Sequence, residues 1–315
     1  MDVLQKCADY SFARELRSES LYPYFRKISS PQDPVVTIDG EKVIMLGSNN
    51  YLGLTSHPEV KEASSKAVLK YGTGCAGSRF LNGTLDIHVE LDERLATFMR
   101  KEAALTFSTG YQVNLGVLSC LLGRHDVAVL DKLDHASILD GVRLGFSKSL
   151  KYKHNDMKDL ESKLASVGDS KGKLIVVDGV FSMDGDTAPL DEICALAREY
   201  GAMTYVDYAH GEGVLGEGRG IGVHYGVEDK VDIEMGTFSK AFGLAALRTG
   251  YAVADPEVVV ELDKVLIAFA VNHLAQVASL AAIAARDEVQ TVVDRITVER
   301  DRVVAALRAV LEFDF

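Results

Sequence analysis

In "VDIEMGTFSKAFGLAALRTGY", residues 231–251, an apolar run ends at Gly236 and delivers a lysine, Lys240, into a turn of small and hydroxylated residues, with Arg248 eight positions later. A short apolar run bounded by turn residues reads as a buried strand. Working back along the chain, similar runs recur as "ALTF" (104–107), "VAVL" (127–130), "KLIVVDGVF" (173–181) and "MTYVDYAH" (203–210), with helical patterns between them. Strands alternating with helices require crossover connections, so the fold class is α/β with a mostly parallel sheet sandwiched by helices. Ligands then belong at the carboxyl ends of the strands.

The helical patterns are specific. "PLDEICALAREYG" (189–201) puts Ile193, Leu196 and Ala197 on one face and stops at Gly201; "LDIHVELDERLATFMRKE" (85–102) aligns Leu91, Leu95 and Phe98. "RDEVQTVVDRITVERDRVVAALRAV" (286–310) predicts one or two long amphipathic helices with Val292, Ile296 and Val303 on a buried stripe, and "LEFDF" (311–315) begins a strand. The domain reading is an N-terminal arm over 1–45, a large α/β domain over 46–275, and C-terminal helices over 276–315 as the remnant of a truncated small domain.

With 315 residues, 47% hydrophobic and 25% charged, the chain is globular and can bury a large core. Its net charge of -12 argues against a nucleic-acid footprint and leaves room for a local anion pocket. No targeting segment or membrane-spanning run is visible, so the expected location is cytoplasmic, without an integral membrane segment. Cys7, Cys75, Cys120 and Cys194 stand far apart with no CxxC pair, which predicts reduced, mostly packed thiols; with no HExxH either, no metal site is expected.

"GTGCAGS" (72–78) fits GxGxxG, but it follows the helical "HPEVKEASSKAVLKY" (57–71) instead of a strand, so it reads as a loop bringing backbone close to a ligand or partner subunit. "FSTGYQVNLG" (107–116) passes from strand to helix through Thr109, Gly110 and Tyr111, whose amides suit an anion at a helix N-terminus or simply an N-cap. His135 and Ser182 follow the second and third strands, and Ser182 sits in no GxSxG elbow. Asp207 closes a buried strand, where a carboxylate needs a cationic partner, with His210 just beyond. One cofactor accounts for an anion turn, a histidine, an Asp/His pair and a lysine together. Pyridoxal 5'-phosphate (PLP) bonds a lysine through its aldehyde and pairs an aspartate through its ring nitrogen.

"SNNYLGL", "YGTGCAGSRFLNGT", "FSTGYQVN", "DHASILDG", "DGVFSMDGD", "VDYAHGEGVLGEGRG" and "GTFSKAFG" resemble, in order and spacing over about residues 20–243, the α-oxoamine synthases. These fold-type I PLP enzymes include serine palmitoyltransferase, glycine C-acetyltransferase and 8-amino-7-oxononanoate synthase. The resemblance implies a homodimeric acyltransferase that condenses serine, glycine or alanine with an acyl-CoA and decarboxylates the product to an α-amino ketone. It implies that Lys240 carries the cofactor, Asp207 holds the ring nitrogen's proton, His210 touches the phenolic oxygen and His135 stacks on the ring and meets substrate. Gly110, Tyr111 and Thr237 would hold phosphate with Ser182 and Ser239 nearby, and Asn50 and Tyr51 would sit close to the substrate or, in a shared dimer site, to the partner's cofactor. Tyr208 stands where an acidic residue is more usual.

After Lys240 the resemblance changes. Residues of about 242–310 look like histidinol-phosphate and other class I/II aminotransferases, in which an arginine at the place of Arg248 binds the cofactor phosphate. This suggests a chimera or designed sequence joined near residues 238–244, with a natural divergent enzyme as the alternative. The competing functions are therefore an aminotransferase and a PLP-fold scaffold without turnover.

Overall fold

The apolar runs quoted above become strands of one sheet. The computed structural model describes residues 3–168, 171–266 and 271–311, and contacts divide the chain into Met1–Ser48 and Asn49–Phe315. In the first unit, α1 (Val3–Asp9) and α2 (Phe12–Ser18) precede a hairpin of β1 (Val35–Ile38) and β2 (Glu41–Ile44). Its turn residues Asp39 and Gly40 both have positive φ, the conformation that matches the twist of a tight hairpin.

The second unit runs α3 (Pro58–Tyr71), α4 (Asp86–Met99), β3 (Ala103–Phe107), α5 (Gly110–Leu121), β4 (Val127–Asp131), α6 (Ala136–Leu144), β5 (Lys148–Tyr152), α7 (Met157–Ala165) and β6 (Lys173–Asp178). It continues with α8 (Leu190–Glu199), β7 (Met203–Asp207), α9 (Ile221–His224), β8 (Ile233–Thr237), β9 (Gly250–Ala254), α10 (Pro256–Leu262), α11 (His273–Ala284) and α12 (Arg286–Leu311). The sheet order is β3-β9-β8-β7-β6-β4-β5. Pairing is parallel from β8 through β5, and β9 runs antiparallel to both its neighbours.

Alternation along the strands makes a three-layer core, since successive side chains point to opposite faces. Val127, Val129, Ile175 and Val177 pack with Leu91 and Leu95 of α4, Leu160 of α7 and Ile193 of α8. Ala128, Leu130, Leu174 and Val176 face Val113 and Val117 of α5, Ile138 of α6 and Leu262 of α10. The sheet is thus covered on both faces, as continuous apolar strands require.

Close approach of α5 and α6 depends on Gly141. A Cβ there would lie 2.5 Å from the Asn114 carbonyl oxygen. Gly141→Ala is expected to cost about 1–3 kcal/mol by overpacking, read as a lower urea midpoint; an unchanged midpoint would mean that the helices are not in such contact.

Two departures from the sequence reading are physical. β5 and β9 carry weak strand patterns: β5 is an edge strand with exposed lysines, and "GYAVA" is held by pairing with β3 and β8. The buried stripe on the last helix is corrected. Val292 packs partly against the core, but Ile296 is 47% and Val303 43% exposed, because nothing among the described residues covers α12 there. The predicted "LEFDF" strand lies, beyond Leu311, outside the described residues. Among the described residues no helix is long and apolar enough to cross a membrane.

Candidate active site

A cavity of about 270 Å³ opens at the carboxyl ends of the strands. The segment after β3 contributes Gly110, Tyr111 and Asn114; that after β4, His135 and Ser137; that after β6, Asp178 and Ser182. Asp207, Ala209 and His210 enter from β7, and Thr237, Ser239 and Lys240 from β8. Arg248 lines it from the connection to β9, and Asn49 from ahead of α3.

Asp207 is buried and held from two sides. Its Oδ2 accepts from Asn114 Nδ2 at 2.9 Å and its Oδ1 from the Ala209 amide at 2.9 Å. Asn114 is itself fixed, because its Oδ1 accepts from Tyr205 and its Nδ2 donates to Ser137 Oγ at 2.8 Å. Burial raises the Asp207 pKa, and the Asn114 and Ala209 hydrogen bonds and the charges of His135 and Lys240 only partly offset it. Asp178 is also raised, by burial and then by the Asp207 charge. A pair of buried carboxylates at a cavity wall is an arrangement that a cationic or proton-bearing ligand would relieve.

The other predicted residues divide. Lys240 is half-buried and its ammonium takes no hydrogen bond or ion pair among the described residues. His210 Nδ1 lies 2.9 Å from the Tyr51 hydroxyl. Burial, then the charges of Lys240 and His135, lower the His210 pKa to about 4, so the ring is neutral near pH 7. His135 caps α6, its amide donating to Asp178 Oδ2 at 3.0 Å and its Nδ1 lying 2.7 Å from Ser137 Oγ. Thr237 Oγ1 donates to the Thr249 carbonyl at 2.9 Å and so accepts from the Ser239 hydroxyl, also at 2.9 Å. Gly110 opens α5 beside it: a Cβ at Gly110 would meet Thr237 Cβ at 3.2 Å, so glycine keeps this helix N-terminus close to β8. Thr109 caps α5 through Gln112 N at 2.9 Å. Arg248 is exposed, holds a left-handed φ of 62° and donates to the Ala245 carbonyl.

Two predicted residues stand off the cavity wall. Asn50 does not line the cavity; its Oδ1 accepts from the Thr55 amide, and Asn49 lines it instead. Tyr51 touches the cavity only through His210. Tyr111 lines the cavity and its phenol is engaged by Asp140, so its turn amide stays its expected contribution to an anion site. Tyr208 is buried and accepts from the Gly222 amide, off the cavity wall.

The sequence pattern of class I and II aminotransferases matches residues 41–315. The chain belongs to the class I and II aminotransferase family. This aminotransferase-family chain is 54% identical over 256 residues to a serine palmitoyltransferase from Sphingobacterium spiritivorum, covering 81% of the chain and 63% of that protein. It is 48% identical over 256 residues to an 8-amino-7-oxononanoate synthase from Thermosipho melanesiensis, covering 80% of the chain and 65% of that protein. A solved serine palmitoyltransferase from S. paucimobilis with a bound PLP–myriocin aldimine is 33% identical with a TM-score of 0.86, covering 91% of the chain and 73% of the other. The chain thus spans less than two thirds of the length of the first two relatives. The family match runs through residues 238–244 and both flanks, so it lends no support to a junction there.

Sequence reading missed Asn114, which lines this cleft, and Glu212, which lies behind it. Glu212 is fully buried, accepting from the Thr237 amide and the Tyr251 hydroxyl. Burial raises its pKa well above the usual range, with those two hydrogen bonds opposing. For Asn114 the signal was its position one turn along the α5 face that carries Gly110; for Glu212 nothing short of the fold reveals the partner.

Proposed function

We propose that the cleft binds PLP and that the chain condenses a small amino acid with an acyl-CoA, breaking the thioester C–S bond, forming a C–C bond at the amino acid Cα and releasing CO₂ and CoA. The observation that carries this reading is a half-buried, unpaired lysine and a buried aspartate lining one cavity, with a helix N-terminus and an arginine on its wall. These residues fit the group: Asp207 keeps acceptor capacity that only neutral amides now use, and Gly110 leaves the α5 start open where a side chain would crowd Thr237. The likeness to serine palmitoyltransferases supports serine among the amino acids.

Lys240 would hold PLP, Asp207 would face its ring nitrogen, His210 its phenolic oxygen, His135 its ring face, and Gly110, Thr237, Ser239 and Arg248 its phosphate, with Ser182 alongside. When bound, PLP supplies an electron sink for negative charge at the amino acid Cα. Lys240 then moves the Cα proton, a role that needs an amine able to give up and regain its proton within reach of substrate. Asp207, fixed by Asn114, favours a proton on the group facing it. His210 stays neutral and can donate or accept through one nitrogen while Tyr51 occupies the other. His135, exposed at the cavity, would also contact substrate. We assign PLP binding to the large domain expected over 46–275, in a homodimer as the resemblance implies, with the cytoplasmic location that the sequence suggests.

The test is CoA thiol release from an acyl-CoA with serine, glycine or alanine. Thiol release that requires both PLP and one of these amino acids supports the proposal; keto-acid formation without thiol release supports amino-group transfer, which Arg248 at the cavity favours as the second reading. Arg248→Ala is expected to weaken PLP binding about tenfold, the order of one charge-assisted hydrogen bond, and less so at high salt. An absorbance titration giving an unchanged Kd would remove Arg248 from the phosphate site.

A further inference from the structure

Outside the cleft, His154 stands between two carboxylates. Its Nδ1 is 3.0 Å from Asp131 Oδ1 and its Nε2 is 2.8 Å from Asp186 Oδ2. Ionised carboxylates only accept hydrogen bonds, so both ring nitrogens must donate, and only the imidazolium carries two N–H groups. The two partners belong to different parts of the fold. Asp131 ends β4, is fully buried, and also accepts from the Leu133 and Asn155 amides. Asp186 closes the turn after β6: its carbonyl accepts from the Phe181 amide, and the Gly185 amide donates back to the Phe181 carbonyl.

Ser182, which lines the cleft, sits in that turn next to Phe181. Phe181 packs edge-on against the His154 ring, centroids 4.5 Å apart. Asn155 adds a second tie, its Nδ2 donating to Asp186 Oδ2 and to the Thr187 carbonyl. We propose that His154 is a positioning residue for the cleft: as an imidazolium clamp between Asp131 and Asp186 it fixes the 181–186 turn, and with it Ser182, to the end of β4. Its bearing on cofactor binding rests on the PLP reading above.

The clamp loosens when the ring loses its proton, because one nitrogen then turns a lone pair toward a carboxylate. Facing the ring are Asp131 from β4 and Asp186 from the turn; behind Asp131 stand Tyr152 of β5 and Asp134, both pushed up by burial. Partial burial opposes the charged ring, but the two carboxylates outweigh it and hold the His154 pKa above the usual imidazole value. A group raised on folding stabilises fully below its unfolded pKa and loses that contribution as pH rises through the folded pKa. The turn is therefore held near pH 6 and released at alkaline pH.

Asp186→Asn separates this clamp from a plain packing role. The introduced amide donates to a neutral ring, whose other nitrogen still donates to Asp131, so the His154 tie survives deprotonation; the Asn155 bond to the same atom is lost at both pH values and leaves the pH difference unaffected. Hydrogen exchange of the 179–188 segment is read in the protein without PLP at pH 6 and pH 9, each corrected for intrinsic exchange, alongside PLP titrations at the same pH values. The wild type is expected to lose protection about tenfold between the two, the order of one charge-assisted hydrogen bond, and Asp186→Asn no more than about twofold. PLP affinity should follow the same pattern. No loss in the wild type, or an equal loss in Asp186→Asn, overturns the clamp. Exchange is read without PLP, so a protein that binds none overturns the cofactor reading while exchange still decides the clamp.

Discussion

Lys240→Ala lowers CoA release by at least about a thousandfold while leaving the fold intact, if the lysine both holds the cofactor and moves the Cα proton. The fold should tolerate the change, because the side chain is half-buried and its ammonium makes no hydrogen bond or ion pair among the described residues. PLP should still bind noncovalently, through the start of α5 and Arg248, so the loss belongs to turnover more than to cofactor occupancy. Steady-state thiol release beside a thermal melt checks this. A variant that melts normally and keeps activity within about tenfold of wild type would show that another base supplies the proton transfer.

Asp207→Asn carries the second-largest effect, and it acts in opposite directions on the two states. With cofactor, losing a preorganised charge facing the ring nitrogen should cost about a hundredfold or more in turnover. Without cofactor, the same carboxylate is a burden: burial raises its pKa, and its charge raises that of Asp178. A carboxylate whose folded pKa is raised penalises folding once pH exceeds its unfolded value of about 4, and the penalty grows until pH passes the folded value. The melting temperature of cofactor-free Asp207→Asn, relative to wild type, should therefore rise between pH 5 and pH 8. A difference that stays flat or falls would mean that Asp207 is satisfied by Asn114 and Ala209 alone.

The same residues show what sequence makes legible. Apolar runs closed by Asp207 or by the turn before Lys240 announce strand ends, because burial and turn chemistry are local properties. β9 announces itself poorly: "GYAVA" has small residues and owes its place to pairing with β3 and β8. Asn49 and Asn50 are adjacent and alike, yet Asn50 is engaged by the Thr55 amide while Asn49 lines the cavity, a choice set by the fold around them. The clamp at His154 depends on two aspartates from separate crossovers, so no spacing rule brings them together. On α12 the amphipathic pattern tells which face is apolar; it does not say whether anything covers that face.

The most direct test of the account is borohydride reduction of the PLP-loaded protein followed by digestion and mass mapping. The account predicts one stable pyridoxyl label, on the peptide containing Lys240, lost in Lys240→Ala. A label on another lysine, or none despite a saturated PLP titration, would contradict the assignment of this cleft to a lysine-bound carbonyl cofactor.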